Sequence, residues 1–159
     1  MPDLHDDIQA VFAHNQYPGD DRLTVYNVDA LEHDETRQLL LGCRWQDMPV
    51  VEFLSGDTPI PDLTPEAFHY YMPALLLAAV DPNSDDRGDV AHSVVFSLTP
   101  SNAFETGEFG YDDRDGFQQR MSLFTGPQRE AMARALLACA EMNGAEMESI
   151  QEAVGFLRG

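Results

Sequence analysis

Apolar residues recur at helical spacing along the chain, which predicts a mostly helical protein. The strongest pattern lies in 68–79, where apolar residues occupy i, i+3, i+4, i+7, i+8 and i+11. The segment Thr64–Glu66 supplies a cap, a first-turn proline and an acid that favours the helix dipole. Pro73 lies inside this helix, so we expect a kink or a break there. His69 and Tyr70 fall off the apolar stripe.

Weaker patterns predict further helices on both sides of this one. A first helix at 3–14 has Asp3 as its cap, and a second runs from a cap at Asp29 to Leu41 and is closed by Gly42. Two more are predicted at 126–143 and from about residue 147 to the end. Because Trp is too large to leave exposed without reason, Trp45 is interpreted as a core anchor, and a hot spot that faces a partner is the alternative.

Three stretches are harder to assign. Residues 90–99 fit a helix capped by Asp89 or a strand, and we favour the helix. Residues 23–26 fit a short extended piece, and about 100–120 reads as a long irregular loop with three glycines. The fold class predicted is mostly α, one compact domain spanning 1–159, with about six helices and at most one short strand pair.

The charge balance narrows the class of partner. The chain of 159 residues has 9 basic against 28 acidic residues and a net charge of −19, and every basic residue is arginine. This excludes a protein that binds phosphate backbones, which needs a basic face, and it disfavours an anionic membrane surface. No stretch is long and apolar enough for a membrane span, and the acidic start is unlike a signal peptide. We therefore expect a cytoplasmic protein, whose oligomeric state the sequence leaves open.

One loop resembles the start of a calcium site. Asp81, Asn83 and Asp85 place oxygen ligands at alternate positions, and His92 is the further residue of interest. The pattern then fails, because Asp86 replaces the required glycine and a closing glutamate is missing. These residues are weak metal candidates, and a solvated acidic loop is the favoured interpretation.

Motifs for catalysis and cofactor binding are missing from the sequence. There is no zinc-type histidine spacing, no dinucleotide or Walker glycine pattern, and no serine nucleophile elbow. We expect no cofactor and assign no catalytic residue. With 28 acids some carboxylates must lie close together, so an enzyme built on carboxylates stays open as an alternative.

The acids cluster in two regions. The first 35 residues hold nine acids against Arg22, and the segment 105–115 is similarly acidic. We expect the two regions to form one negative face that steers a basic partner, with aromatic residues in polar segments as anchors. The candidate partner-binding residues are Asp3, Asp6, Asp7, Tyr70, Glu105, Glu108, Phe109, Tyr111, Asp112, Asp113 and Asp115.

The segment Leu63–Leu77 carries the signature Leu-Thr-Pro-Glu-Ala-Phe-x-Tyr-Tyr-Met-Pro-Ala. With Trp45 upstream and the Phe-Thr-x-x-Gln element at Phe124–Gln128, it resembles an uncharacterised bacterial domain family of unknown function, over about 29–140. Met72 stands where the family has Leu, which is a conservative exchange. The resemblance implies that the Tyr-Tyr-x-Pro helix is shared architecture, and it supplies no catalytic residues. Some such domains neighbour immunity or defence genes.

Three hypotheses follow. The leading one is a non-enzymatic acidic binding protein that masks a basic surface of a protein partner, as an immunity protein or an inhibitor of a nucleic-acid-handling machine would. The second is a metal-binding or carboxylate-based enzyme. The third is a salt-adapted domain whose charge serves solubility alone.

Overall fold

The computed structural model describes residues 3–24, 31–55, 63–100, 114–143 and 147–159. These residues fold into a single compact, mostly helical domain, as the periodicity predicts. The predicted cap at Asp29 and the extended residues 25–26 lie outside the described residues. The described helices are α1 (Leu4–Val11), α2 (Leu31–Leu40), α3 (Val50–Leu54), α4 (Pro65–Val80), α5 (Arg87–Leu98), α6 (Arg114–Ser122), α7 (Gly126–Asn143) and α8 (Met147–Arg158).

Helix α4 is the centre of the domain. It begins where the sequence predicts, because the Thr64 side chain accepts a hydrogen bond from the Ala67 amide at 3.1 Å. It packs against α1, α3, α5, α6 and α7, and also against the 3₁₀ turn Trp45–Asp47. A helix enclosed on so many sides is buried around most of its circumference. Trp45 is buried against it, which confirms the predicted core anchor.

Pro73 does not break α4, which is continuous from Pro65 to Val80. A proline removes the hydrogen bond to the carbonyl four residues earlier, here that of His69. In this structure the Asn15 side chain donates to the His69 carbonyl at 3.2 Å. The backbone oxygen that Pro73 leaves without its helical donor therefore has a partner, and the expected break is wrong for this reason.

The prediction of a loop at about 100–120 is wrong for residues 114–120, which are helical. Helix α6 begins at Arg114, and residues 101–113 lie outside the described part of the chain. Phe117, Met121 and Phe124 follow one another at intervals of four and three residues, and each is at most 4% exposed. Phe117 and Met121 lie in α6 and Phe124 follows its end, and this apolar spacing is the signal that could have predicted the helix.

Other expectations are refined at element ends. In α5 the cap is Asp86 and Asp89 lies in the first turn, so this helix begins before the predicted cap. The segment is helical, which is the alternative that we favoured over a strand. No strand occurs in the described ranges, where the expected strand pair reduces to an isolated antiparallel bridge between Thr24 and Leu63. Gly42 has φ of 68°, a left-handed conformation that suits a residue just beyond a helix, here α2.

The described helices include none that is both long and apolar enough to cross a membrane.

Candidate functional site

An open groove of about 750 Å³ lies where the amino end of α1 meets the carboxyl end of α4. The apolar residues of its lining are Leu4, Leu77, Ala78, Val80, Pro82 and Ala138. The polar residues are Asp3, His5, Asp81 and Asn83. The groove thus combines apolar surface contributed by three helices with carboxylates at two helix ends.

Each groove carboxylate is held by its position at a helix end. Asp3 is the cap of α1 and accepts from the His5 amide at 3.4 Å, as the sequence predicts. Asp81 follows α4, and its side chain accepts from the Asn83 amide at 2.9 Å, which is an Asx turn. Asp3 and Asp81 are both exposed. The carboxyl end of α4 adds partial negative charge at the same place.

The wall beside the groove is held by an ion pair. Asp7, one turn after Asp3, pairs with Arg134 of α7, which lies one turn before Ala138. This pair joins α1 to α7, and it balances the positive charge of Arg134 with a carboxylate of the same chain. Asp6, the residue before Asp7, is exposed.

The metal candidates are brought together in part. Asp81 and Asn83 share the groove lining, and their contact is the Asx turn, whereas Asp85 is exposed and outside that lining. His92 is exposed on α5, with its ring 6.5 Å from that of Phe96. Among the residues that the structure describes, there is no group of three or more His, Cys, Asp or Glu able to hold a metal ion.

Tyr70 is buried rather than presented to a partner. Its side chain is 4% exposed, its hydroxyl accepts from the Trp45 amide at 3.3 Å, and its ring meets those of Tyr17 and Tyr71 edge to face. The sequence predicts Tyr70 as a surface anchor outside the apolar stripe, and this prediction is wrong because the side chain is buried. The reason is the enclosure of α4, which buries the side chains beside the stripe as well.

The acidic segment can be placed in part. Asp115 is exposed in the first turn of α6. The other candidates of this segment lie outside the described residues, namely Glu105, Glu108, Phe109, Tyr111, Asp112 and Asp113.

A polar cluster joins the beginning of α7 to α1 and α4. Thr125 and Gln128 form a reciprocal capping box, in which the Thr125 amide donates to Gln128 Oε1 at 3.0 Å and the Gln128 amide donates to Thr125 Oγ1 at 3.3 Å. Gln128 Nε2 also donates to the Val11 carbonyl at 3.0 Å and to Asn15 Oδ1 at 3.2 Å. His69 Nε2 lies 3.0 Å from Gln128 Oε1, and since that oxygen is an acceptor, the histidine nitrogen is the donor.

This cluster links two of the three sequence elements on which the family resemblance rests, the signature that contains His69 and the element that contains Gln128. Asn15 bonds both to Gln128 and to the His69 carbonyl that Pro73 leaves without a helical donor. Sequence reasoning did not single out Asn15, and it named Gln128 as part of the family element without giving it a structural role. The spacing Thr125-x-x-Gln128 is a capping-box signal that could have indicated that role, whereas nothing in the sequence pairs Asn15 with Pro73.

A second set of bonds holds the chain after α2. The Tyr71 hydroxyl lies 2.7 Å from the Cys43 carbonyl and 3.1 Å from that of Leu40, and it donates to this pair of acceptors. Burial, the largest cause, raises the pKa of Tyr71 well above its usual value, so the hydroxyl remains a donor. Burial also raises the pKa of the Cys43 thiol. The Tyr71 hydroxyl thus holds the backbone of the segment after α2 through the carbonyls of Leu40 and Cys43.

Comparison with known proteins identifies the family without naming an activity. No curated protein and no solved structure matches the chain. A family of unknown function, DUF6714, matches residues 2–156. The match covers nearly the whole chain, which therefore belongs to this family of unknown function.

Proposed function

We propose that this protein is a non-enzymatic binding protein that masks a basic surface of a protein partner. An immunity protein that covers a toxin, or an inhibitor of a nucleic-acid-handling machine, would act in this way. The observation that carries the proposal is the excess of exposed carboxylates in a chain with net charge −19. Such a field raises the association rate with a basic partner by roughly 10 to 10³-fold.

The positions of the arginines support the proposal. Arg44, Arg134 and Arg158 each pair with a carboxylate of the same chain. Arg129 donates to the Met121 carbonyl, and Arg120 lies over the Phe68 ring at 5.6 Å. These cations contact groups of the protein itself, and the excess of 28 acidic over 9 basic residues makes the surface that a partner meets predominantly negative.

The alternative is that the charge serves solubility in concentrated salt. Exposed acids occur on α1 and on every helix from α3 to α8, so within the described residues they are not confined to the first helix. Spread acidity of this kind is what the solubility alternative expects, and within the described residues it does not support the single negative face expected from the sequence. The groove favours binding, because there carboxylates border an apolar surface, and solubility does not require that combination.

The absence of lysine from the sequence allows a direct test. A carbodiimide couples a carboxylate to a nearby amine without a spacer, and this chain has no lysine amine with which to link to itself. The folded protein is treated with the reagent in a native lysate, and linked peptides are identified by mass spectrometry. We expect a defined set of lysine-rich proteins linked through the carboxylates of this chain.

Two controls separate specific binding from simple attraction between charges. Adding about 0.5 M salt before the reagent should reduce linking strongly, because exposed charges are screened at that ionic strength. An unrelated acidic protein of similar net charge should not link to the same set. If both acidic proteins link to the same proteins, or if this chain links to none, the proposal is wrong. Stability that rises steeply in molar salt without any specific partner would support the solubility alternative.

A further inference from the structure

We propose that the groove between α1 and α4 receives a segment of the partner in which one apolar side chain is flanked by arginine or lysine. This rests on the proposed function and names the chemistry of the partner at one place on the surface. The groove, at about 750 Å³, falls within the range of roughly 300–1,000 Å³ typical of ligand pockets.

The floor of the groove requires an apolar occupant. Leu4, Leu77, Val80 and Ala138 line it and are partly exposed, and the first three pack against the hydrophobic core. A side chain inserted there would remove apolar surface of both molecules from water. A bare metal ion or a small polar cation could not use this surface.

The rim requires a positive charge next to that apolar group. Asp3 and Asp81 both line the groove and are exposed, one before α1 and one after α4. The described residues that line the groove include no arginine, and the carboxyl end of α4 adds partial negative charge. The complementary ligand is therefore a cationic side chain next to an apolar one.

A second copy of the same chain is a poor occupant. Each copy carries a net charge of −19, so an interface between two copies would bring together surfaces of the same sign. The charge of the rim likewise disfavours an acidic peptide or a nucleic acid. A basic and partly apolar protein segment satisfies both the floor and the rim.

The rim can be changed without disturbing its local structure. Asp3→Asn retains a side-chain oxygen that caps α1, and Asp81→Asn retains the oxygen that accepts from the Asn83 amide. The matched control is Glu52→Gln with Glu66→Gln, which also removes two exposed charges. Glu66 lies in the first turn of α4, at the other end of a 16-residue helix from the groove.

The floor can be filled by Ala138→Phe, since Ala138 is partly exposed in the groove. Ala10→Phe is its control, because Ala10 is exposed on α1 and outside the groove lining. Circular dichroism and thermal unfolding of each variant show whether the fold is kept. The two kinds of change address the charge and the apolar surface separately.

The probe is a displayed library of random 12-residue peptides selected on the folded wild-type protein. We expect the enriched peptides to combine an apolar residue with flanking arginine or lysine. The Asp3→Asn/Asp81→Asn variant should bind them about tenfold more weakly than wild type, Ala138→Phe should weaken them at least as much, and both controls should bind as wild type does. Spermine should displace them poorly, because it has no side chain for the floor.

Several results would overturn the groove assignment. These are enrichment of peptides without the basic and apolar pattern, equal binding by groove and control variants, or displacement by spermine as effective as by peptide. If the lysate proteins still link to the groove variants as they do to wild type, the proposed function stands and the groove is not the contact. If linking is absent for every form, the proposed function itself fails.

Discussion

Gln128 is the residue whose replacement should disturb the fold most informatively. It is 5% exposed, and its amide joins three parts of the chain through bonds to the Thr125 amide, the Val11 carbonyl and the side chains of Asn15 and His69. Gln128→Met keeps nearly the same length and volume and removes every one of these side-chain bonds. The substitution therefore isolates the polar contribution from packing.

The expected loss can be worked out from the contacts. The side-chain half of the capping box is worth about 1 kcal/mol, and each buried polar group left without a partner costs about 1–3 kcal/mol. Val11, Asn15 and His69 are partly exposed and Thr125 is exposed, so water recovers part of that cost. We expect a loss of about 2 kcal/mol in the free energy of unfolding. For a chain of this size, that corresponds to a melting temperature lower by roughly 4–8 °C.

Urea unfolding followed by circular dichroism measures this loss, with the fluorescence of Trp45 as a second probe. Gln151→Met is the control, since Gln151 is exposed on α8 and should change stability by less than about 0.5 kcal/mol. If Gln128→Met unfolds at the same urea concentration as the control, the polar cluster does not stabilise the domain and the reasoning is refuted.

A double-mutant cycle tests the link to Pro73. In the wild type, Asn15→Ala leaves the His69 carbonyl without the donor that replaces the helical bond. In a Pro73→Ala background the restored amide of residue 73 can donate to that carbonyl. Asn15→Ala should therefore cost about 1 kcal/mol less in this background than in the wild type. Equal costs in both backgrounds would show that Asn15 does not compensate for the proline.

Two further predictions concern Tyr71 and the cysteines. Tyr71→Phe should lower the free energy of unfolding by about 1–2 kcal/mol in urea, because two backbone carbonyls lose the hydroxyl donor. Since burial raises the pKa of Tyr71 in the folded state, its stabilisation is complete below the unfolded pKa of about 10 and declines as the pH rises above it. The wild type should therefore lose stability more steeply than Tyr71→Phe above about pH 10, and parallel curves would contradict this account. Iodoacetamide at neutral pH should modify Cys43 slowly, because burial raises the pKa of its thiol, and should modify Cys139, which is 3% exposed, after unfolding alone. Mass spectrometry of the labelled native protein checks both rates, and rapid modification of Cys139 would contradict its burial.

Local signals in the sequence predicted several parts of the fold correctly. The beginning of α4 follows from Thr64 and Pro65, and the end of α2 is marked by Gly42. Trp45 is buried as predicted. In each case the evidence lies within a few residues of the feature, since caps, left-handed glycines and apolar spacing act over one or two helical turns.

The errors arose where a distant residue decides the outcome. Pro73 is accommodated through Asn15, which is 58 positions earlier in the chain, and Tyr70 is buried because other elements enclose α4. The groove likewise joins residues from the beginning, middle and end of the chain. Of the predicted binding residues, Asp3 lies in its lining, and the apolar floor was not predicted.

The sequence by itself determined the helical class, the strongly negative charge and the helix boundaries with local caps, because periodicity, charge and capping are properties of short segments. The tertiary structure alone decided which polar atoms meet, how α4 tolerates its proline, and where apolar surface and carboxylates lie together. Those outcomes depend on how the helices pack, and packing brings together residues whose separation along the chain carries no local signal.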